Sequence, residues 1–328
     1  MDSSLVPVPP GGDLARGDSE RLPGAVTRAG GDAAKRFLEF FAGSIRNPHT
    51  RRAYFRGVLR FFDWCERHRA GELPAIQPLH VAAYIESRGK EIKKPGVKQE
   101  LAAIRMLFDF LLLGGLVRMN PAAAVRGPRH VVRKGKTPIL SPAEARQLLE
   151  SIDTSNVVGL RDRALIATGL YTFGRVGATI GLNIEDCYIQ ERRLWLRLHE
   201  KNGKVIEMPC NHNLERYIYE YIDAAGIAEE KDSPLFRTVY RKTKQLTDRR
   251  MSQKDVFNRI RRHAQAAGIE TEIGCHSLRG TGITAYLTNG GTLDAAQRMA
   301  GHSDPRTTKL YDRRGDQVSM NDVERISF

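Results

Sequence analysis

The sequence predicts a mainly α-helical protein with a small antiparallel β-sheet, built from an all-helical N-terminal half and an α+β C-terminal half. Apolar residues recur at spacings of three and four through most of both halves, which is the period of amphipathic helices. One stretch, Leu194 to Glu200, instead alternates apolar and polar residues as a strand does, and Asn202-Gly203 follows as a hairpin turn. A length of 328 residues is sufficient for two hydrophobic cores.

The N-terminal half begins with a segment that lacks apolar periodicity. Residues 1–30 are rich in Gly, Pro, Ser, Asp and Arg, and we expect a flexible arm. Thr50 is the predicted cap of a first helix. The apolar residues of that helix are Tyr54, Val58, Phe61, Phe62 and Cys65. Further helices are predicted from Pro78 to Arg88 and from Val97 to Leu113, where Gly114 and Gly115 end the pattern, so residues 31–125 form a helical domain.

Residues 126–140 form the predicted interdomain linker, because they are basic, contain two glycines and show little periodicity. Such a linker can lie along phosphates or serve only as a solvated connector. The second domain, residues 141–316, opens with a capping box, in which Ser141 precedes Pro142 and Glu144.

The second domain continues with a long helix from Val158 to Tyr171, and the hairpin then returns through a strand from Val205 to Pro209. Further helices are predicted over residues 214–225, 253–267, 277–287 and 293–300. Residues 317–328 form a tail whose apolar spacing is typical of a small helix, which packs either on its own domain or on a neighbouring subunit.

The net charge of +14 is unevenly distributed along the chain. Residues 31–140 contain 21 Lys and Arg against 9 Asp and Glu, a net charge of +12. This concentration indicates a polyanionic partner, with nucleic acid as the first candidate, although a basic face that only interacts with water would look the same. The candidate DNA-binding residues are Arg51, Arg52, Arg56, Arg60, Arg133, Lys134 and Lys136.

Several classes of protein are excluded by composition. No run of 18 apolar residues predicts a membrane span, and the start of the sequence does not resemble a secretory signal. The four cysteines are far apart in sequence and form no CxxC pair, which argues against a zinc site and a disulfide framework. We therefore expect a protein of the reducing cytoplasm.

Four local patterns contain residues that could act in catalysis or bind an anion. Arg175 lies between glycines after an apolar helix, and Lys201 and Lys204 flank the Asn-Gly turn. His276 and Arg279 are three residues apart, so on a helix their side chains point the same way and could meet one anion. The fourth pattern joins His302, after Gly301, to Tyr311. Taken singly, each pattern also has an ordinary explanation in packing or solvation.

In their order along the chain, these patterns resemble the tyrosine recombinase (phage integrase) family of site-specific DNA recombinases. The match consists of an arginine after an apolar helix, a hairpin lysine, His-Ser-Leu-Arg, Ala-Gly-His-Ser and Thr-Thr-Lys-Leu-Tyr. The resemblance covers residues 141–316, and residues 31–125 resemble the family's SAM-like core-binding domain more loosely. It implies that the catalytic residues are Arg175, Lys201, His276, Arg279, His302 and Tyr311.

Two positions depart from the family pattern. After the first arginine the family has a small residue followed by Glu and Leu, whereas here residues 176–179 are Val-Gly-Ala-Thr. We expect Glu185 or Asp186 to provide the acidic partner instead. Two lysines compete for one role, and Lys201 is favoured over Lys204 because the family's lysine precedes the hairpin turn.

The resemblance also implies a mechanism, partners, a location associated with a bacterial or phage-type nucleoid, and no need for a cofactor. Tyr311 would attack a DNA phosphate to give a 3′-phosphotyrosine, with no metal and no ATP, while the arginines and His302 stabilise the transferred group. His276 would accept the tyrosine proton, and Lys201 would protonate the leaving oxygen. The expected partners are double-stranded DNA with a specific site, a homotetramer in the synaptic complex, and accessory directionality factors. The expected roles are integration, excision or resolution of a mobile element or replicon.

Two alternative functions fit part of the same pattern. A type IB topoisomerase uses a similar tyrosine and basic set but relaxes supercoils as a monomer. The helical N-terminal half and the Gly-His-Ser element favour a recombinase over it. The other alternative is a DNA-binding regulator that keeps the scaffold without the chemistry. Because every catalytic position is filled, the sequence favours an enzyme.

Overall fold

A computed structural model describes residues 22–130, 135–240, 242–243, 245–312 and 323–324. The chain divides into two compact units, Met1–Val131 and Val132–Phe328, and the division falls inside the predicted linker 126–140. The described residues are mainly helical with small antiparallel sheets, which confirms the predicted fold class. Within the described part of the chain, no helix is both long and apolar enough to span a bilayer.

The first unit consists of helices joined by short turns. Its five described helices are α1 (Gly24–Arg28), α2 (Gly31–Glu39), α3 (Pro48–Arg67), α4 (Pro78–Glu91) and α5 (Lys94–Leu113). A π-helical turn, Phe40–Ser44, follows α2, and a 3₁₀ turn, Leu73–Ala75, precedes α4. The core is rich in aromatic rings packed edge to face, such as Phe37 on Phe41 and Phe61 on Tyr84, with ring centroids 5.1 and 5.2 Å apart.

Two segment boundaries predicted for this unit are wrong. Helix α3 begins at Pro48 rather than after Thr50, because the Asn47 side chain accepts the backbone N–H groups of His49 and Thr50 at 3.0 and 3.1 Å. Asparagine is a strong N-cap, and proline suits the first helical position that follows it. The predicted arm 1–30 is not entirely free of structure, because α1 lies within it and buries Ala25 and Val26 in the core.

Glu100 is the buried charge that links three helices of the first unit. It lies on α5 and accepts hydrogen bonds from the Tyr84 hydroxyl at 2.7 Å and from Arg88 Nε at 2.9 Å, both on α4. Arg60 Nε on α3 reaches the other carboxylate oxygen at 3.0 Å. Burial by itself would raise the pKa of Glu100, but the hydrogen bonds from Arg88 and Tyr84 and the charge of Arg60 lower it. The carboxylate therefore stays ionised inside the unit.

The second unit contains eight described helices and five strands. The helices are α6 (Pro142–Glu150), α7 (Val157–Thr172), α8 (Val176–Gly181), α9 (His212–Ala225), α10 (Gln253–Ala266), α11 (Cys275–Thr288), α12 (Leu293–Ala300) and α13 (Pro305–Lys309). The strands are β1 (Cys187–Gln190), β2 (Arg193–His199), β3 (Val205–Pro209), β4 (Arg237–Val239) and β5 (Leu246–Arg250). Antiparallel pairing gives one sheet in the order β1-β2-β3 and a two-stranded sheet of β4 and β5.

Helix α7 is buried along most of its length and packs against α9 and α11. Close crossing with α11 depends on Gly282, since a Cβ added there would lie 1.9 Å from the backbone oxygen of Leu170. This crossing brings the C-terminal end of α7 beside the first half of α11. The two segments that carry the predicted arginines, Arg175 and Arg279, therefore meet.

The predicted hairpin is present, but its turn differs from the prediction. Strands β2 and β3 pair up to His199 and Val205, and a 3₁₀ turn, Lys201–Gly203, joins them instead of a two-residue Asn-Gly turn. The Glu200 N–H closes the loop by donating to the Lys204 carbonyl at 2.6 Å. The last paired residue of β2, His199, is followed by Glu200, whose side chain turns inward to contact Arg175.

Candidate functional site

Arg175 lies at the N-cap of α8, three residues beyond the end of α7, and is held by a buried carboxylate. Its Nη1 lies 2.5 Å from Glu200 Oε2, and its backbone N–H donates to Glu200 Oε1 at 3.2 Å. The Glu200 side chain is 2% exposed, whereas that of Arg175 is 38% exposed. The guanidinium is thus anchored on its inner side and remains accessible to an anion from outside.

The acidic partner of Arg175 is therefore Glu200, and the prediction of Glu185 or Asp186 is wrong. Asp186 accepts a hydrogen bond from His199 Nε2 at 2.8 Å, and Glu185 is exposed. The sequence nevertheless contains a signal that Glu200 points inward. Leu194, Leu196 and Leu198 all point inward from β2, so the next residue of that parity, Glu200, is expected to point inward as well.

Arg279 is enclosed in a socket made of main-chain oxygens. It is 4% exposed, and it donates to the carbonyl oxygens of Phe173 and of Ala300, the latter at 2.6 Å. Phe173 adopts the left-handed conformation (φ 56°) after α7, and Ala300 is the last residue of α12, where carbonyls lack partners within the helix. The socket therefore fixes the guanidinium at the junction of α7, α11 and α12.

Burial lowers the pKa of Arg279 to about 10, and the nearby charge of Arg175 acts in the same direction. Glu200 and the phenol of Tyr311 act in the opposite direction and raise the pKa of Arg279. Arg279 remains protonated at neutral pH. The charges of Arg175, Glu200 and Tyr311 therefore all act on Arg279, although the four residues come from separate segments of the chain.

His302 follows the end of α12, where Gly301 takes the left-handed conformation (φ 60°) that a helix C-terminus favours. Its backbone N–H donates to the Gln297 carbonyl at 3.1 Å, and its ring Nδ1 lies 2.9 Å from the Thr308 hydroxyl. Burial and the charges of Arg279 and Arg175 lower the pKa of His302 to about 4. The imidazole is therefore neutral at pH 7 and can donate one hydrogen bond to an anion.

Tyr311 lies two residues beyond α13 and is partly exposed. Its ring is nearly parallel to that of His302, with 6.0 Å between the centroids and 7° between the planes. Its carbonyl accepts the Thr284 hydroxyl of α11 at 3.0 Å, and its ring packs over Gly280. These contacts place the phenol beside His302 and Arg279, with part of the ring reachable from solvent.

The two lysines have different positions around this group. Lys201 begins the 3₁₀ turn and is exposed. The charge of Lys204 contributes to the lowered pKa of His302, and its Cε lies 3.7 Å from the position that a Cβ on Gly301 would occupy. The hairpin thus brings Lys204 beside Gly301, and the assignment of Lys201 as the catalytic lysine stays a prediction.

His276 is exposed in the first turn of α11, one turn before Arg279. The structure thus brings together Arg175, Arg279, His302 and Tyr311, adds Glu200 and Thr308, and places His276 and the lysine-bearing turn on adjoining segments. Within the described ranges, no group of three or more His, Cys, Asp or Glu is arranged to hold a metal ion.

Some of the candidate DNA-binding residues make contacts within the protein. Arg51 donates to the Ile45 carbonyl from Nε and Nη2 at 3.0 and 2.8 Å, and Arg60 pairs with Glu100 while its side chain stays 46% exposed. Arg52 and Arg56 also lie on α3, and Lys136 is exposed. Arg133 and Lys134 lie outside the described residues.

Comparison with known proteins gives consistent matches over both units. Residues 138–317 match the model of the phage integrase family, and residues 34–115 match the phage integrase N-terminal SAM-like domain. The chain is 31% identical over 271 residues to tyrosine recombinase XerC of Pelobacter propionicus, covering 81% of this chain and 84% of that protein. It is 28% identical over 281 residues to tyrosine recombinase XerD of Corynebacterium glutamicum, covering 81% and 87%.

Solved structures with the same fold include two protein–DNA complexes. XerH recombinase bound to a palindromic difH substrate, described as a post-cleavage complex, has a TM-score of 0.67 at 17% identity and covers 94% of this chain and 90% of that one. A lambda integrase tetramer bound to a Holliday junction has a TM-score of 0.61 at 18% identity and covers 87% and 79%.

Proposed function

Because this chain belongs to the phage integrase family of tyrosine recombinases, we propose that it cuts and rejoins duplex DNA at a specific site through a covalent bond to Tyr311. One observation carries this proposal. Two arginines, a neutral histidine and a tyrosine from separate parts of the chain surround one partly exposed position. Attack on a phosphodiester requires a nucleophile, here a phenol, beside guanidinium groups that can bind the phosphate oxygens.

In the proposed reaction, the Tyr311 oxygen attacks the scissile phosphorus as its proton passes to His276. The bond from phosphorus to the 5′-oxygen breaks, and Lys201 gives that oxygen a proton, which leaves a 3′-phosphotyrosine and a free 5′-hydroxyl. Arg175 and Arg279 bind the non-bridging oxygens, and His302 adds a hydrogen bond. The reverse attack by a 5′-hydroxyl rejoins a strand, so the phosphotyrosine conserves the bond without ATP.

A nicked suicide substrate tests the nucleophile. The wild-type chain is expected to form a covalent protein–DNA adduct, and Tyr311→Phe is expected to form none while binding the same DNA. Tyr286→Phe is the matched control, because Tyr286 is a second tyrosine packed against the same small apolar cluster and should keep full activity. An adduct with Tyr311→Phe would refute the assignment.

The catalytic lysine is tested by separate substitutions. Lys201→Ala is expected to slow cleavage strongly, and a substrate with a 5′-phosphorothiolate leaving group, which needs no proton, is expected to restore it. Lys204→Ala is expected to cleave at a near-normal rate. If only Lys204→Ala loses cleavage and is rescued by the sulfur substrate, the proposed roles of the two lysines must be exchanged.

We propose double-stranded DNA as the partner, with the first unit and linker providing most of the electrostatic attraction. Residues 31–140 carry a net charge of +12, so affinity should fall steeply with salt. A tetramer on two duplexes is proposed because strand exchange joins two sites, and one structure of similar fold is a tetramer on a Holliday junction. Integration, excision or resolution of a mobile element or replicon would each give distinct products from two-site plasmids, with or without accessory factors.

A further inference from the structure

We infer that Glu200 is a positioning residue that holds Arg175 in its phosphate-binding orientation and links it to the lysine-bearing turn. The inference rests on the proposed function. In the family pattern, a glutamate follows the first arginine at the position of Ala178, which lies on α8. In this chain the carboxylate beside Arg175 comes instead from the hairpin.

The first support is the geometry of the pair. Glu200 uses one oxygen for the Arg175 guanidinium, at 2.5 Å, and the other for the Arg175 backbone N–H, at 3.2 Å. Both ends of the same residue are therefore fixed by a single side chain that is itself 2% exposed. A long arginine side chain that is 38% exposed would otherwise have many rotamers available.

The second support is the charge of the site. Arg175 and Arg279 repel each other strongly enough to contribute to the lowered pKa of Arg279, while Glu200 raises that pKa. Glu200 is thus the anion that offsets the repulsion before DNA is present. Without it, the exposed Arg175 guanidinium would move toward water, because Arg279 is confined by its carbonyl socket.

The third support is the place of Glu200 in the hairpin. Glu200 directly precedes Lys201. The backbone N–H of Glu200 closes the turn by donating to the Lys204 carbonyl at 2.6 Å. A carboxylate at this position therefore sets the arginine and the lysine-bearing turn at the same time. The matching pair on the same hairpin, Arg197 with Glu207 at 2.8 Å, is exposed and serves as a control.

The test compares adduct formation by the wild type, Glu200→Gln, Arg175→Ala and the double variant on the suicide substrate. Glutamine keeps the size of the side chain but presents no charge to the guanidinium. Glu200→Gln should form adduct roughly 10- to 100-fold more slowly, the loss that follows from misplacing a group by about 1 Å. In the Arg175→Ala background the same change should cost nothing further, because a residue that acts through Arg175 has no effect once Arg175 is absent.

The outcomes separate the two roles that Glu200 could have. Equal rates for Glu200→Gln and the wild type overturn the inference, and so does a double variant whose loss is the product of the single losses, as a purely structural role predicts. Glu207→Gln should cleave like the wild type. If Glu200→Gln does not fold, Glu200→Asp in the same cycle replaces it, since aspartate keeps the charge. A wild type that forms no adduct refutes the proposed function instead.

Discussion

Gly280→Ala is expected to slow DNA cleavage while leaving the fold and DNA affinity almost unchanged. Gly280 lies inside α11, where the Tyr311 ring packs directly over the backbone. A Cβ at this position would lie 3.2 Å from Cε1 and 3.4 Å from Cδ1 of that ring, and 3.0 Å from Ile139 Cγ2. Ordinary carbon contacts need more room, so the Ile139 side chain and the Tyr311 ring, both partly exposed, must each shift.

The expected size of the effect follows from these distances. Relief of the contacts requires a displacement of a few tenths of an ångström, and misplacing a catalytic group by about 1 Å costs about 100-fold in rate. We therefore expect adduct formation to fall about tenfold, which corresponds to about 1.4 kcal/mol in the activation free energy. The free energy of unfolding should change by less than about 2 kcal/mol, because overpacking costs about 1–3 kcal/mol and alanine gains about 1 kcal/mol over glycine in a helix.

The assay measures single-turnover adduct formation at saturating enzyme, together with the melting temperature and DNA affinity. Gly89→Ala is the matched control, since Gly89 lies in α4 with no atom within 4 Å of the added Cβ. It should gain stability and keep the wild-type rate. A wild-type rate for Gly280→Ala, with its fold intact, would refute the argument that this glycine sets the position of the tyrosine.

Three further predictions concern stability. Glu100→Gln should lower the free energy of unfolding in urea by about 3–5 kcal/mol, because Arg88 loses its buried counter-ion, and a loss below about 1 kcal/mol would contradict this. His302 takes up a proton near pH 6.5 in the unfolded chain but only near pH 4 in the folded chain. The free energy of unfolding should therefore fall by up to about 3 kcal/mol as the pH drops from about 6.5 to about 4. His302→Gln should flatten this slope in pH-dependent melting, and an unchanged slope would argue against it. Gly282→Ala should fail to fold, since its Cβ meets the Leu170 backbone at 1.9 Å, and a native circular dichroism spectrum would disprove that.

The sequence predicted elements best where periodicity and a cap coincide. Ser141 with Glu144 opens α6, and the helix predicted over residues 293–300 has those bounds in the structure. Strands β4 and β5 went unpredicted because they have only three and five residues and no clear alternation. Asn47 was missed as a cap because Thr50, three residues later, also suits that role and only the backbone conformation distinguishes them.

Within the candidate site, the residues could be chosen from the sequence, but their partners could not. Nothing in the sequence places Glu200 against Arg175, 25 positions away, because that contact depends on how the hairpin packs on α8. The carbonyl acceptors of Arg279 are invisible for a different reason, since every residue has a carbonyl group. The lowered pKa of His302 likewise depends on burial and on charges brought together only by folding.

The main-chain socket of Arg279 has a consequence for divergence. Its acceptors belong to Phe173 and Ala300, so mutation at either position changes a side chain without deleting an acceptor, provided the local conformation survives. Arg175 lacks that protection, because its anchor is a side chain that one mutation can remove. A single substitution at Glu200 therefore removes the anchor of Arg175, whereas no single side-chain substitution deletes the carbonyl acceptors of Arg279.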